Sequence, residues 1–283
     1  MDRVGNCPRI KHTTIKVVLG VGFPRILKAK LLIRMVVLFP KPVLLVTHSV
    51  RMPRDYISGL LRARGYPTIW VRPFLGQPLP PPDPEAYSGA VFYGGPQLLT
   101  EIDADPFLQD EINWVRAFVE GGGRYLGLCL GGQILAKAFG GDVYDHKDDV
   151  HERGYYRLDP TPAGVEAGLF SKNSMQVYHW HRQGIELPDG VRSFAASEHF
   201  PNQAFKITDI ALGTQFHPEI TDAMIETWTT LAEPDPAPIP GARCRSSHRR
   251  DFAEHHSEVQ LWAKAMLDDL GFRSHTTGTS AAR

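Results

Sequence analysis

The run RYLGLCLGGQ, residues 124–133, sets one cysteine between an apolar segment and a pair of glycines. Gly127-Leu128-Cys129-Leu130-Gly131 has the spacing of a nucleophile held on a tight strand-to-helix turn, flanked by small residues. A Cβ at either flanking position would strike the neighbouring strand or helix, and the sulfur would project from the top of the sheet. A helix N-terminus beside it favours thiolate over thiol, and the Leu130 amide is placed to stabilise an oxyanion. The same residues also suit a buried, inert cysteine packed as a small hydrophobe. A thiolate needs a base and an acid to complete acyl transfer, and GTQFHPE offers His217 and Glu219 at the end of an apolar strand. Residues two apart on a strand share a face. The Glu219 carboxylate can therefore fix the His217 tautomer and support its imidazolium. Read alone, His-Pro-Glu is more often a turn with a solvated carboxylate than a catalytic pair. In HWH, His179 and His181 share a strand face at a spacing that could bind a metal. No third ligand is obvious, His151 and Asp149 being the candidates, and a pocket-wall or structural role is the favoured reading. No metal and no cofactor are expected.

These residues need a scaffold that brings strand ends together. PVLLVTHS (42–49), TIWVRPF (68–74), GAVFYGG (89–95) and RYLGLCL (124–130) read as buried strands. Helical periodicity over 54–66, 106–120 and 131–139 falls among them, and the proline-rich run from Pro78 to Pro84 reads as a loop. This rhythm predicts an α/β fold: an open, mostly parallel central sheet with helices on both faces. After Gly141, the runs GDVYDHK, YYRLD, SMQVYHWH, SFAAS, QAFKI and IALGTQFH predict a more antiparallel half, a smaller antiparallel sheet included. The last of them should return to the main sheet, before a helix at about 222–231. The expected organisation is a disordered basic extension over 1–40, a catalytic domain over 41–232 and a proline-rich linker over 233–256. An amphipathic helix over 257–272 and a disordered tail over 273–283 complete it.

The chain has 283 residues with 31 basic and 31 acidic side chains, so no net charge points to nucleic acid or an acidic surface. Three well-separated cysteines, Cys7, Cys129 and Cys244, argue against a disulfide framework and suit a reducing cytoplasm. Residues 1–42 carry nine basic side chains against Asp2, with two apolar patches too short to span a bilayer. Neither patch has the uninterrupted core and small-residue cleavage site of a signal peptide. No membrane association is expected, although a basic segment of this kind can lie on a membrane surface.

Taken in chain order, VFYGGPQ (91–97), then Gly127, Cys129, Gly131 and Gln133, then His217-Pro-Glu219 resembles the class I (triad) glutamine amidotransferases. HWHRQGIELPDGV followed by SEHFPNQAF looks most like the glutaminase domain of GMP synthases and its free-standing relatives. The resemblance covers residues from about 43 to about 230 and implies a flavodoxin-like fold. It implies Cys129, His217 and Glu219 as the catalytic residues, with the Gly95 and Leu130 amides holding the oxyanion. Gly94, Gln133 and His181 fall in stretches that meet substrate. It implies release of ammonia from a glutamine side chain through a γ-glutamyl thioester, with glutamine or another γ-glutamyl compound as substrate.

No ATP-pyrophosphatase module follows residue 230, so an ammonia-accepting synthase subunit would be a separate chain. Two alternatives stand beside this reading. One is a γ-glutamyl hydrolase acting on small peptides or conjugates. The other is a non-catalytic binding or regulatory module, against which the intact Cys129, His217 and Glu219 argue. The basic extension and the charged segment 146–160 depart from the family pattern.

Overall fold

The computed structural model describes residues 40–50, 54–231 and 239–275. The expected basic extension, Pro40 excepted, and residues 276–283 of the expected tail lie outside the described residues. Short apolar segments become the centre of the sheet because both of their faces are covered. The first half supplies β1 (Val43–Val46), α1 (Tyr56–Ala63), β2 (Thr68–Val71), β3 (Gly89–Phe92), α2 (Phe107–Glu120), β4 (Tyr125–Leu128) and α3 (Leu130–Ala138). The second half supplies β5 (Asp142–Asp145), β6 (Glu152–Pro160), α4 (Pro162–Glu166), β7 (Met175–His181), β8 (Gln183–Glu186), β9 (Ala195–Ala196), β10 (Ala204–Thr208) and β11 (Ala211–Thr214). Two helices close the described chain, α5 (Asp222–Leu231) and α6 (Arg245–Asp269).

Nine strands form one sheet in the order β2-β1-β3-β4-β11-β10-β9-β6-β7. β2, β1, β3, β4 and β11 are parallel, and the remainder run antiparallel to their neighbours. Most of the antiparallel half thus extends the main sheet, and the separate small sheet is β5 paired with β8. Side chains alternate across the parallel strands with period two. Val43, Leu45, Val91, Leu126 and Leu128 pack with α1 and with Val259, Trp262 and Met266 of α6. Leu44, Val46, Ala90, Phe92 and Tyr125 face the other way, onto Ile112, Val115 and Phe118 of α2 and Ile134 and Leu135 of α3. Because β4 and β11 are adjacent and parallel, with Thr214 paired to Leu128, the segments leaving their C-terminal ends emerge side by side.

The C-terminal organisation differs from the sequence expectation. The helix expected over 257–272 starts twelve residues earlier, so 245–256 is helix and not linker. Its first turns carry no apolar stripe, and polar contacts hold them. Arg249 pairs with Asp222 and Glu226 of α5, and Tyr178 hydrogen-bonds the His248 ring at 2.9 Å. Residues 239–244 of the expected linker lie along β6, with the His151 amide donating to Pro240 and that of Arg243 to Arg153. Residues 232–238 lie outside the described residues. The expected tail begins docked: the His275 amide donates to the Arg64 carbonyl at 2.8 Å, and its ring meets Tyr66 edge-on.

Candidate active site

Cys129 sits between β4 and α3 with φ 51° and ψ −107°, in the left-handed half of conformational space where a side chain is strained. Two glycines make the turn possible. A Cβ on Gly127 would lie 2.3 Å from the Gly131 carbonyl oxygen, and one on Gly131 would lie 2.1 Å from that of Phe92. The strained residue is held at both ends: its amide donates to Thr214 at 2.8 Å, and its carbonyl accepts from the Gln133 amide at 3.0 Å. Leu130 opens α3, where backbone N–H groups have no intrahelical acceptor.

His217 and Glu219 follow β11, beside this turn. His217 Nδ1 donates to Glu219 Oε1 at 2.8 Å, and both side chains are buried. Burial works against a charged imidazole here, but the Glu219 carboxylate and then the Cys129 sulfur outweigh it, and His217 is pushed up to about 10. The ring therefore holds its proton at neutral pH while facing the sulfur. Gly94 lies between the two groups: a Cβ there would be 2.9 Å from His217 Cε1 and 3.3 Å from Cys129 Cβ.

Cys129, Leu130, Gly95, Gln133 and His181 line one cavity of about 300 Å³, together with Gln97, Arg153 and Arg182. Gln133 is less free than the sequence suggests, because its amide donates to Gln215 Oε1 at 3.1 Å. Gln215 in turn directs its own amide at Cys129 Sγ, 3.5 Å away. Gln215, two residues before His217 and just beyond the end of β11, was not singled out from the sequence. Nor was a buried pair beneath the glycine loop. His48 Nε2 lies 2.9 Å from Glu111 Oε2, and its Nδ1 donates to the Tyr93 carbonyl at 3.0 Å. A Cβ on Gly95 would fall 2.4 Å from His48 Cβ, so this histidine sets the floor on which the loop rests.

The possible metal ligands also differ from expectation. His151 and Asp149 pair with each other at 3.1 Å. The third group beside His179 and His181 is Glu152, at the start of β6, whose register pairs Glu152 with His181. Among the described residues, these are the side chains grouped closely enough to hold an ion.

Residues 73–225 match the family described as glutamine amidotransferase class-I. The chain is 29% identical over 215 residues to a glutamine amidotransferase-like protein of Salmonella typhimurium, YfeJ, covering 74% of this chain and 85% of that one. It is 32% identical over 139 residues to one subunit of the glutamine-hydrolysing GMP synthase of Pyrococcus abyssi, covering 47% of this chain and 66% of that protein. Among solved structures, a glutamine amidotransferase from Methylobacillus flagellatus superimposes with a TM-score of 0.72 at 27% identity, covering 86% of this chain and 99% of that one. One from Thermotoga maritima, at 22% identity and a TM-score of 0.69 over 81% of this chain and 98% of that one, shares the fold. The chain belongs to the class-I glutamine amidotransferase family.

Proposed function

We propose that this protein hydrolyses the side-chain amide of glutamine through a γ-glutamyl thioester on Cys129. The observation that carries the reading is the placement of His217, bonded to Glu219 at 2.8 Å, against a cysteine held at positive φ in a cavity wall. The Cys129 thiolate attacks the amide carbon, and the carbonyl electrons move onto oxygen, where the Gly95 and Leu130 amides receive the charge. His217 gives its proton to the departing nitrogen, the C–N bond breaks and ammonia leaves. A water molecule, losing a proton to His217, then cleaves the thioester to glutamate and restores the thiolate. Glu219 orients the ring and supports its charge without touching substrate. Gln133 and His181 belong to the pocket wall in this scheme. Gln133 acts through Gln215, and the glycine at 94 leaves room for the imidazole beside the sulfur.

The acceptor of the ammonia would be a separate synthase chain, as the name of the Pyrococcus abyssi protein suggests for that enzyme. A cytoplasmic setting fits such an assembly. Among the described residues, no helix is long and apolar enough to cross a membrane. One observation favours a second reading, hydrolysis of small γ-glutamyl peptides or conjugates: Arg153 and Arg182 line the same cavity and suit an acidic leaving portion.

The test is intact-protein mass spectrometry after treatment with a glutamine-mimicking electrophile. Single labelling, lost in Cys129→Ser and blocked by excess glutamine, is expected. Labelling blocked by γ-glutamyl dipeptides and not by glutamine would replace the first reading with the second. A folded protein labelled elsewhere, or not at all by either class of compound, would refute both.

A further inference from the structure

Sharing His181 with the cavity wall is a second cluster, whose groups the thioester chemistry does not use. Glu152 Oε2, His179 Nδ1 and His181 Nε2 form a triangle with sides of 3.1, 3.2 and 3.2 Å. All three side chains are buried, those of Glu152 and His179 completely.

The hydrogen inventory of this triangle does not close. His181 Nδ1 lies 2.9 Å from the Gln183 carbonyl, which can only accept, so the ring's N–H is at Nδ1. In the neutral ring Nε2 is then a bare lone pair, and it faces a carboxylate oxygen 3.2 Å away. The one hydrogen His179 can place at Nδ1 must serve both neighbours, and the Nε2–Oε2 edge is left as lone pair against lone pair. Gln203 adds a donor to Glu152 Oε2 at 3.2 Å but nothing along that edge. Two lone pairs facing each other inside a protein, with one hydrogen shared along the other two edges, call for a positive centre.

The dimensions match a particular one. Tetrahedral zinc with bonds of about 2.0–2.1 Å separates its ligand atoms by about 3.3 Å. The triangle is within about 0.2 Å of that spacing. A metal-ligating histidine usually donates its other ring N–H to a carbonyl, as His181 does to Gln183. A fourth oxygen is at hand. Gln203 is fully buried, and its Oε1 has no hydrogen-bond partner among the described residues. A half-turn of that amide exchanges Oε1 with the nitrogen already 3.2 Å from Glu152 Oε2.

We propose that Glu152, His179 and His181 hold a structural divalent transition-metal ion, zinc by the chemistry of the donors, with Gln203 Oε1 closing the tetrahedron. Binding at Nδ1 requires the single hydrogen of the neutral His179 ring to sit on Nε2, a change of tautomer that releases no net proton. The ion would clamp β6 to β7 at the point where Trp180, between the two histidines, turns its carbonyl toward Cys129 Sγ at 4.0 Å. It would therefore fix one wall of the pocket without contacting substrate.

The test uses the full chain as Cys129→Ser, to remove the thiol of the adjoining cavity, without a metal-binding tag. After dialysis against a weak chelator, elemental analysis should give about one equivalent of zinc per chain. Cobalt(II) added to the stripped protein should produce the visible bands of a tetrahedral site, displaced by zinc. Glu152→Gln should lose both signals with its circular dichroism unchanged. An anomalous difference map at the zinc edge, which needs no variant at the site, should place the ion among the three side chains. A folded protein without metal or cobalt bands would overturn the proposal. Metal retained by a folded Glu152→Gln, or an anomalous peak elsewhere, would overturn it equally.

Discussion

Replacing Glu111 tests whether the buried pair under the glycine loop sets the geometry above it. His48 and Glu111 have fully buried side chains, and the ring bridges the Tyr93 carbonyl to both carboxylate oxygens, at 3.1 and 2.9 Å. Burial alone would lower the His48 pKa, but the Glu111 charge and hydrogen bonds, with the Tyr93 carbonyl, raise it. Glu111→Leu keeps similar bulk and removes every acceptor at Nε2. Deleting one partner of a buried ion pair costs about 3–5 kcal/mol. For a domain of this size, that is a fall of about 6–20 °C in melting temperature. Glu111→Gln should be far milder. Its amide can donate to Nε2 of a neutral His48 while Nδ1–H still donates to Tyr93, leaving a loss of about 1 kcal/mol. The two variants therefore separate hydrogen bonding from packing.

The assay is thermal unfolding by circular dichroism together with kcat and KM on the best substrate. Because His48 is raised, the pair's contribution is full below the ordinary histidine value of 6.5 and is lost as pH rises through the folded value. The stability gap between wild type and Glu111→Gln should accordingly narrow in alkali. Loosening the Tyr93–Gly95 turn should lower kcat in Glu111→Leu by up to about a hundredfold, as loss of an oxyanion donor does, with a smaller effect on KM. Equal melting temperatures for the Leu and Gln variants, or a fall below about 3 °C for Leu, would refute the reasoning.

Cys129→Ala should abolish turnover with little change in melting temperature, since one sulfur at a cavity wall contributes little packing; residual turnover would exclude the thioester. His217→Ala should suppress turnover as strongly, whereas Glu219→Ala should leave a measurable remnant, because it orients more than it reacts. With His217 pushed up to about 10, kcat/KM should fall on an alkaline limb near that pH, where the proton for the leaving nitrogen is lost, while alkylation of the thiolate persists. Its share of stability is full below 6.5 and lost through about 10, and Glu219→Gln should move both profiles to lower pH; an unmoved limb would assign it to another group. Gly131→Ala drives a methyl to 2.1 Å from a backbone carbonyl and should cost at least about 3 kcal/mol, read as loss of soluble protein or of the unfolding transition. A soluble Gly131→Ala with wild-type melting would mean that the turn is looser than its geometry.

How far the sequence discloses this site depends on whether its contacts are local. Cys129 between two glycines and His217 two residues from Glu219 are short-range patterns, and backbone geometry alone makes them meaningful. The parallel strands are legible for the same reason: four consecutive apolar residues buried on both faces leave few other structures open to them. The first turns of α6 are hidden because ion pairs to α5 and a tyrosine hold them, and no apolar period reports such contacts. His48 and Glu111, 63 residues apart, become partners only when the sheet sets β1 beside β3 under α2. One signal was nonetheless present: Glu111 falls on the buried face of its helix with Leu108, Ile112 and Val115. A carboxylate placed there requires a buried donor somewhere in the fold. Glu152 follows the same logic more weakly, since its strand alternates irregularly and its partners lie on another. A charged residue on an apolar face is thus the trace a long-range polar contact leaves in sequence. It announces that a partner exists, and only the topology names it.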